Sequence, residues 1–245
     1  MHPLIRPLTD LQPLRDPVLI AGYAGRGGST ASAAVQYLVD HWDALPVAEF
    51  DEQELYDFTV RRPMVSLREG ERTLTWPTVR AYVASPAGLD RDFVLLPTIE
   101  PHMRWRAYCE AVADLARTLG CERALIVGSR PGSVPHTRPV PFRLTTSDAE
   151  FIRLFGIQPT TPTYEGPTGI QTVIHLFLEQ EGFRVASLSG MTPFYLAIDP
   201  SPQAIAAIAE AIAAAFGTST DLAELAPAIE QLGRTAAEAL EQSEQ

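Results

Sequence analysis

The chain contains no lysine: all nineteen of its basic residues are arginine. That removes a phosphate-loop lysine, a Schiff-base lysine and the nucleotide-binding lysines of ATP-dependent ligases. Cysteine is nearly absent as well. Cys109 and Cys121 show no metal-ligand spacing and fall in a helical pattern and at a strand entrance. They read as small core residues of a protein kept in a reducing cytoplasm. No apolar run approaches the ~18 residues of a membrane span, and Met1 to Arg15 lacks the apolar centre of a signal peptide. Excess positive charge is missing too, since the formal net charge is −11. Such a chain lacks the basic footprint that nucleic acid or an anionic membrane demands. His2, His41, His102 and His175 are scattered and suggest no metal site, and no cofactor motif occurs. Gly128-Ser129-Arg130 lacks the second-glycine spacing of a nucleophile elbow.

What is present fits an α/β domain. With 245 residues and 46% apolar content, the chain can bury roughly 70–75% of its unfolded surface without a disulfide or metal staple. Short apolar strands are expected at Pro17–Ala21, Val47–Phe50, Asp92–Leu96, Ala124–Gly128 and Arg184–Leu188. Further extended segments are expected at Val79–Ala84, Val140–Leu144 and Met191–Ala197. Met64–Leu67 and Thr73–Trp76 alternate on either side of Arg68-Glu69-Gly70-Glu71, which reads as a hairpin. Apolar residues at helical spacing place helices from Thr30 to Trp42, from Trp105 to a stop at Gly120, and from Ile170 to a stop at Gly182. Ser147 with Glu150 reads as a capping box for a short helix through Phe155. Ser201 and Pro202 start a helix ended by Gly217, and a second pattern follows from Leu222, broken near Pro227. The division expected is an α/β sandwich over residues 1–198 and a C-terminal helical hairpin over 199–245.

Candidate site residues sit where such strands end. Gly25, Arg26, Gly27, Gly28 and Ser29 follow the first strand and open a helix. Their glycines permit close backbone approach, and free amides with the helix dipole favour an anion by ~0.3–1 kcal/mol. The same residues are equally a tight turn with Ser29 as N-cap. Glu100, at the end of another strand, is the best acid candidate, or a structural acid at a helix start. In Val134-Pro135-His136-Thr137-Arg138-Pro139 the prolines stiffen the segment. His136 and Arg138 form a base and an anion clamp beside the glycine turn if their strands are neighbours. Otherwise Arg138 pairs with a carboxylate such as Asp57 or Glu100. Tyr164 to Gly169, with Tyr164 and Gly166, reads as a capped turn or a lid.

Several of these segments together resemble the proteasome assembly chaperone family, in the branch related to the second eukaryotic chaperone subunit. They are Gly22 to Ser29, Tyr56-Asp57-Phe58 with Arg62-Pro63, Trp76-Pro77, Glu100-Pro101 with Trp105, and Pro135 to Pro139. Tyr164 to Gly169 and Pro193-Phe194-Tyr195-Leu196 complete the set. The resemblance implies a three-layer α/β/α sandwich similar to nucleoside phosphorylases, self-association into an oligomer such as a trimer, and a role in protein assembly. Relatives that dock on proteasome rings often end in a hydrophobic residue, a tyrosine and one final residue. The sequence closes on Leu240 to Gln245, so such docking is not expected. The link of the family to ATP-dependent ligases is not expected to hold without lysine. The function expected is therefore a non-catalytic assembly or interaction factor. The alternative is a phosphorylase- or hydrolase-like enzyme with an anion or nucleotide pocket at the strand ends.

Overall fold

The computed structural model describes all residues except 26, 27, 69, 197, 244 and 245, and all side chains of these described residues except those of 237–243. The strands are β1 (Ile5–Pro7), β2 (Val18–Ala24), β3 (Leu45–Phe50), β4 (Met64–Arg68), β5 (Glu71–Thr75), β6 (Val79–Ala84), β7 (Phe93–Ile99), β8 (Arg123–Gly132), β9 (Phe142–Thr146) and β10 (Arg184–Pro193). The helices are α1 (Thr30–His41), α2 (Glu52–Leu55), α3 (Trp105–Thr118), α4 (Ala149–Phe155), α5 (Ile170–Gln180), α6 (Pro202–Ala215) and α7 (Ala226–Ser243).

Eight strands form one sheet in the order β1-β3-β6-β7-β2-β8-β10-β9, while β4 and β5 pair only with each other. The centre, β7-β2-β8-β10, is parallel, and β1, β3, β6 and β9 join it antiparallel. Parallel strands need both faces covered, which explains why β2 is a continuous apolar run rather than an alternating one. Its Val18, Ile20 and Ala21 are fully buried. Leu19, Ala21 and Ile126 face a core shared with α3 and α5; Val18, Ile20 and Val127 face a second core shared with α1 and α6. The sheet between two helical layers is the expected α/β/α sandwich.

Four expectations need correction. The cap of α4 is Asp148, not Ser147: its side chain accepts from the amides of Glu150 and Phe151. The extended segments expected at Arg184–Leu188 and Met191–Ala197 are joined in one ten-residue strand that ends at Pro193, because pairing along the whole length of β8 continues it past Gly190; residue 197 lies outside the described residues. Pro227 does not break a helix but stands in the first turn of α7, where its missing N–H costs nothing. Residue 198 also does not separate two packing units. Ile205, Ile208 and Ile212 of α6 lie in the second core together with Ala34 and Leu38 of α1, so α6 is a layer of the sandwich.

Candidate functional site

The turn after β2 closes on itself through the Gly25 amide to the Gly28 carbonyl at 3.0 Å and the reverse bond at 2.9 Å. Gly22, one residue before Tyr23, lets α1 approach β2: a Cβ there would stand 2.4 Å from the Ala31 carbonyl oxygen. The start of α1 does hold an anion, and it is the carboxylate of Asp199. The Ser29 amide donates to its oxygens at 2.7 and 2.8 Å, the Ser29 hydroxyl at 3.0 Å and the Thr30 hydroxyl at 3.3 Å. Ser29 makes no side-chain cap bond to its own helix. Gly28, at φ +98°, has no room for a Cβ, which would fall 2.6 Å from Asp199 Oδ1. Arg26 and Gly27 lie outside the described residues.

Glu100 performs the same service for a second helix. Its amide donates to the Ala24 carbonyl at 2.7 Å, tying the ends of β2 and β7, and its Oε2 accepts from the Ile170 amide at 3.1 Å. Gly169 before α5 offers no side chain to cap it, so an acid seventy residues away in sequence supplies the acceptor. Glu100 is thus a helix-start acid for α5 rather than for α3, the helix that follows it.

Around Glu100 lies a cleft of about 510 Å³ bordered by Tyr23, Gly25, Trp105, Ser129, Gly169 and Gln171. It sits at the carboxyl ends of β2, β7 and β8, the usual crevice of an open α/β sheet. Of its lining residues, Tyr23 stays a neutral phenol: burial pushes it well above its ordinary range, although the hydroxyl of Tyr108 hydrogen-bonds it at 3.1 Å. Tyr164 is 70% exposed and folds back on its own loop, donating to the Pro167 carbonyl at 2.9 Å. Gly166, at φ +145°, allows this, because a Cβ would stand 2.7 Å from the Tyr164 hydroxyl. The loop borders the cleft through Pro167, Thr168 and Gly169.

The histidine–arginine corner follows the neighbouring strand, since β2 and β8 pair in parallel with Gly22 opposite Val127. Yet β8 runs on to Gly132, and neither His136 nor Arg138 borders the cleft. The His136 amide donates to the Tyr195 hydroxyl at 2.9 Å, and the same hydroxyl meets His136 Nδ1 at 2.8 Å. One phenol oxygen accepting from the amide and donating to Nδ1 satisfies both groups. Gln203 donates to the His136 carbonyl at 3.0 Å and to that of Arg138 at 3.4 Å. The partners expected for Arg138 are engaged elsewhere. Asp57 accepts from the amide and hydroxyl of Thr59, and Glu100 serves α5. The residues missed from the sequence are therefore Tyr195, Asp199 and Gln203. Only Tyr195 carried a signal there, through the Pro193–Leu196 segment.

His175, read from the sequence as isolated, is buried between Ser187 and Glu179. Its Nδ1 is 2.8 Å from Ser187 Oγ and its Nε2 is 3.3 Å from Glu179 Oε1. Burial lowers its pKa, and Glu179 partly opposes that. Neither Ser187 nor His175 borders the cleft, so the trio ties α5 to β10 within the core. Cys109 and Cys121 are buried free thiols, both pushed up to about 12 by burial, with Glu110 adding to the effect at Cys109. Among the described residues, no helix is long and apolar enough to cross a membrane.

Known structures resemble this chain over nearly its full length. A PAC2 family protein of Streptomyces avermitilis is 36% identical, with a TM-score of 0.80 over 92% of this chain and 96% of its own. A proteasome-assembly chaperone homologue of Mycobacterium tuberculosis is 33% identical, with a TM-score of 0.77 over 90% and 94%. An archaeal proteasome activator of Pyrococcus furiosus, 15% identical, shares the fold with a TM-score of 0.73 over 98% of each chain. No curated protein matches. The model of the PAC2 family matches residues 19–240, nearly everything from β2 through α7, and the chain belongs to that family.

Proposed function

We propose that this chain is a non-catalytic, cytoplasmic assembly factor. It associates with itself, in a trimer or another small oligomer, and holds protein partners during assembly of a larger complex. The proteasome-assembly naming of its relative from M. tuberculosis supports the class. The observation that carries the reading is the carboxylate of Asp199 at the start of α1. An enzyme binding phosphate at the glycine turn would need that helix start open to an anion; here the chain fills it itself. Glu100 at the start of α5 repeats the arrangement. Gly25, Gly28, Ser29, Glu100 and His136 then serve to hold the rim of the sheet in one shape for protein contacts.

The test has two arms. Titration calorimetry with inorganic phosphate and with nucleosides is expected to give no binding heat at millimolar ligand. Native mass spectrometry of the chain mixed with separately produced proteasome subunits of its own cell is expected to show complexes and faster ring formation. Micromolar phosphate or nucleoside binding, with no complex formed, overturns the proposal.

A further inference from the structure

Among the described residues, β4 and β5 pair only with each other and stand apart from the eight-stranded sheet. Six of the fifteen exposed large hydrophobic side chains among the described residues lie between residues 60 and 76: Val60, Met64, Val65, Leu67, Leu74 and Trp76. The register pairs Val65 with Leu74 and Leu67 with Arg72. Directly opposed residues share a face of a hairpin, so one face carries three bare aliphatic groups and an arginine. Those aliphatic groups are 52%, 54% and 71% exposed for Val65, Leu74 and Leu67. An isolated two-stranded hairpin is marginal in water without a surface to pack on. Its root, by contrast, is anchored: Trp76 packs on Phe58 at 5.3 Å, and Phe58 packs on the first core.

Charge says what the bare face fits. Arg6, Arg15, Arg80, Arg91, Arg104, Arg117, Arg123, Arg184 and Arg234 each lie within 4.0 Å of a carboxylate. Arg68 and Arg72 of the hairpin have no such partner among the described residues, and neither do Arg61, Arg62, Arg106, Arg130, Arg138, Arg143 and Arg153, so it is the local excess of arginine that marks the hairpin. From Arg61 to Trp76 the chain has four arginines against two glutamates, although its net charge is −11. A cationic, apolar arm thus projects from a strongly acidic body.

We infer that the β4–β5 arm is the element through which one copy of this chain docks on a second, lying on the acidic body of its neighbour. The inference rests on the self-association proposed above. The contact is arm on body rather than arm on arm, because like-charged arms repel whereas arm and body attract. A head-to-tail contact of this kind closes into a ring when its rotation permits, which is compatible with a trimer.

The experiment compares the wild type with R68E/R72E and with L67S/L74S by native mass spectrometry and sedimentation. Both pairs are exposed, so circular dichroism is expected to show the fold retained. Wild type is expected as an oligomer that weakens with salt. Each variant alone is expected to associate about tenfold or more weakly. A tagged R68E/R72E chain mixed with wild type is still expected in mixed oligomers, since its body remains open to wild-type arms. Variants as oligomeric as wild type overturn the arm, and a variant never incorporated overturns the arm-on-body geometry. A wild type monomeric at every salt overturns the self-association reading itself.

Discussion

The two corners that end β2 and β8 are neighbours in the sheet, yet they are held by opposite means. The glycine turn is held by charge: Asp199 accepts from the amide of Ser29 and the hydroxyls of Ser29 and Thr30. The proline-flanked corner is held by neutral groups, the Tyr195 phenol and the Gln203 amide. Tyr195, Asp199 and Gln203, which make both ties, lie between the end of β10 and the first turn of α6, so these two corners are fastened from one strap of the chain. Ser29 and His136, which look reactive in the sequence, are both bonded to that strap, whereas Glu100 is bonded to the start of α5.

Cutting the charged tie gives the largest expected effect. Asp199→Ala leaves the Ser29 amide and two hydroxyls without their acceptor and should cost about 1–2 kcal/mol in urea denaturation. It should also convert a closed helix start into an anion site, so that phosphate raises the Tm of the variant but not of the wild type. Unchanged stability and no phosphate response would erase the contrast between the corners.

The neutral tie should matter less. Tyr195→Phe removes the hydroxyl shared by the His136 amide and ring and should cost about 0.5–1.5 kcal/mol, with faster hydrogen exchange at the His136 amide. No phosphate response should accompany it. Should it prove as costly as Asp199→Ala, the charged and neutral ties are equivalent and the comparison fails.

The smallest effect belongs to the seam between α5 and β10. The pKa of His175 is lowered in the folded protein by burial, with Glu179 partly opposing. The unfolded chain therefore binds the proton first, and stability should fall as pH drops below about 6.5, flattening once the folded histidine is protonated too. His175→Gln should remove that part of the slope in denaturation measured from pH 7 to pH 5. A slope unaffected by the substitution would assign the acid sensitivity to other groups.

Much of the frame was legible in the chain order. Local signals reach it: the apolar run of β2, the helical spacing that ends at Gly120 and at Gly182, and the Ser201-Pro202 start of α6. The glycines were legible for a reason the structure now specifies, close approach of α1 at Gly22 and a positive φ with no room for a side chain at Gly28. What was not legible is long-range. Nothing local in Asp199 indicates that its carboxylate meets a turn 170 residues earlier in sequence. Nothing local to Ile205 separates a sandwich layer from an appended helix, since both present the same amphipathic stripe.

The sequence by itself determined the class of architecture, the family and the exclusion of lysine chemistry, because periodicity, turn residues and composition act over a few residues. Only the tertiary structure decided whether the glycine turn is open or filled, whether Arg138 finds a carboxylate, and that the hairpin stands bare. Those outcomes depend on which distant side chain the fold brings to a free amide or an apolar face, and long-range packing rather than local propensity sets that.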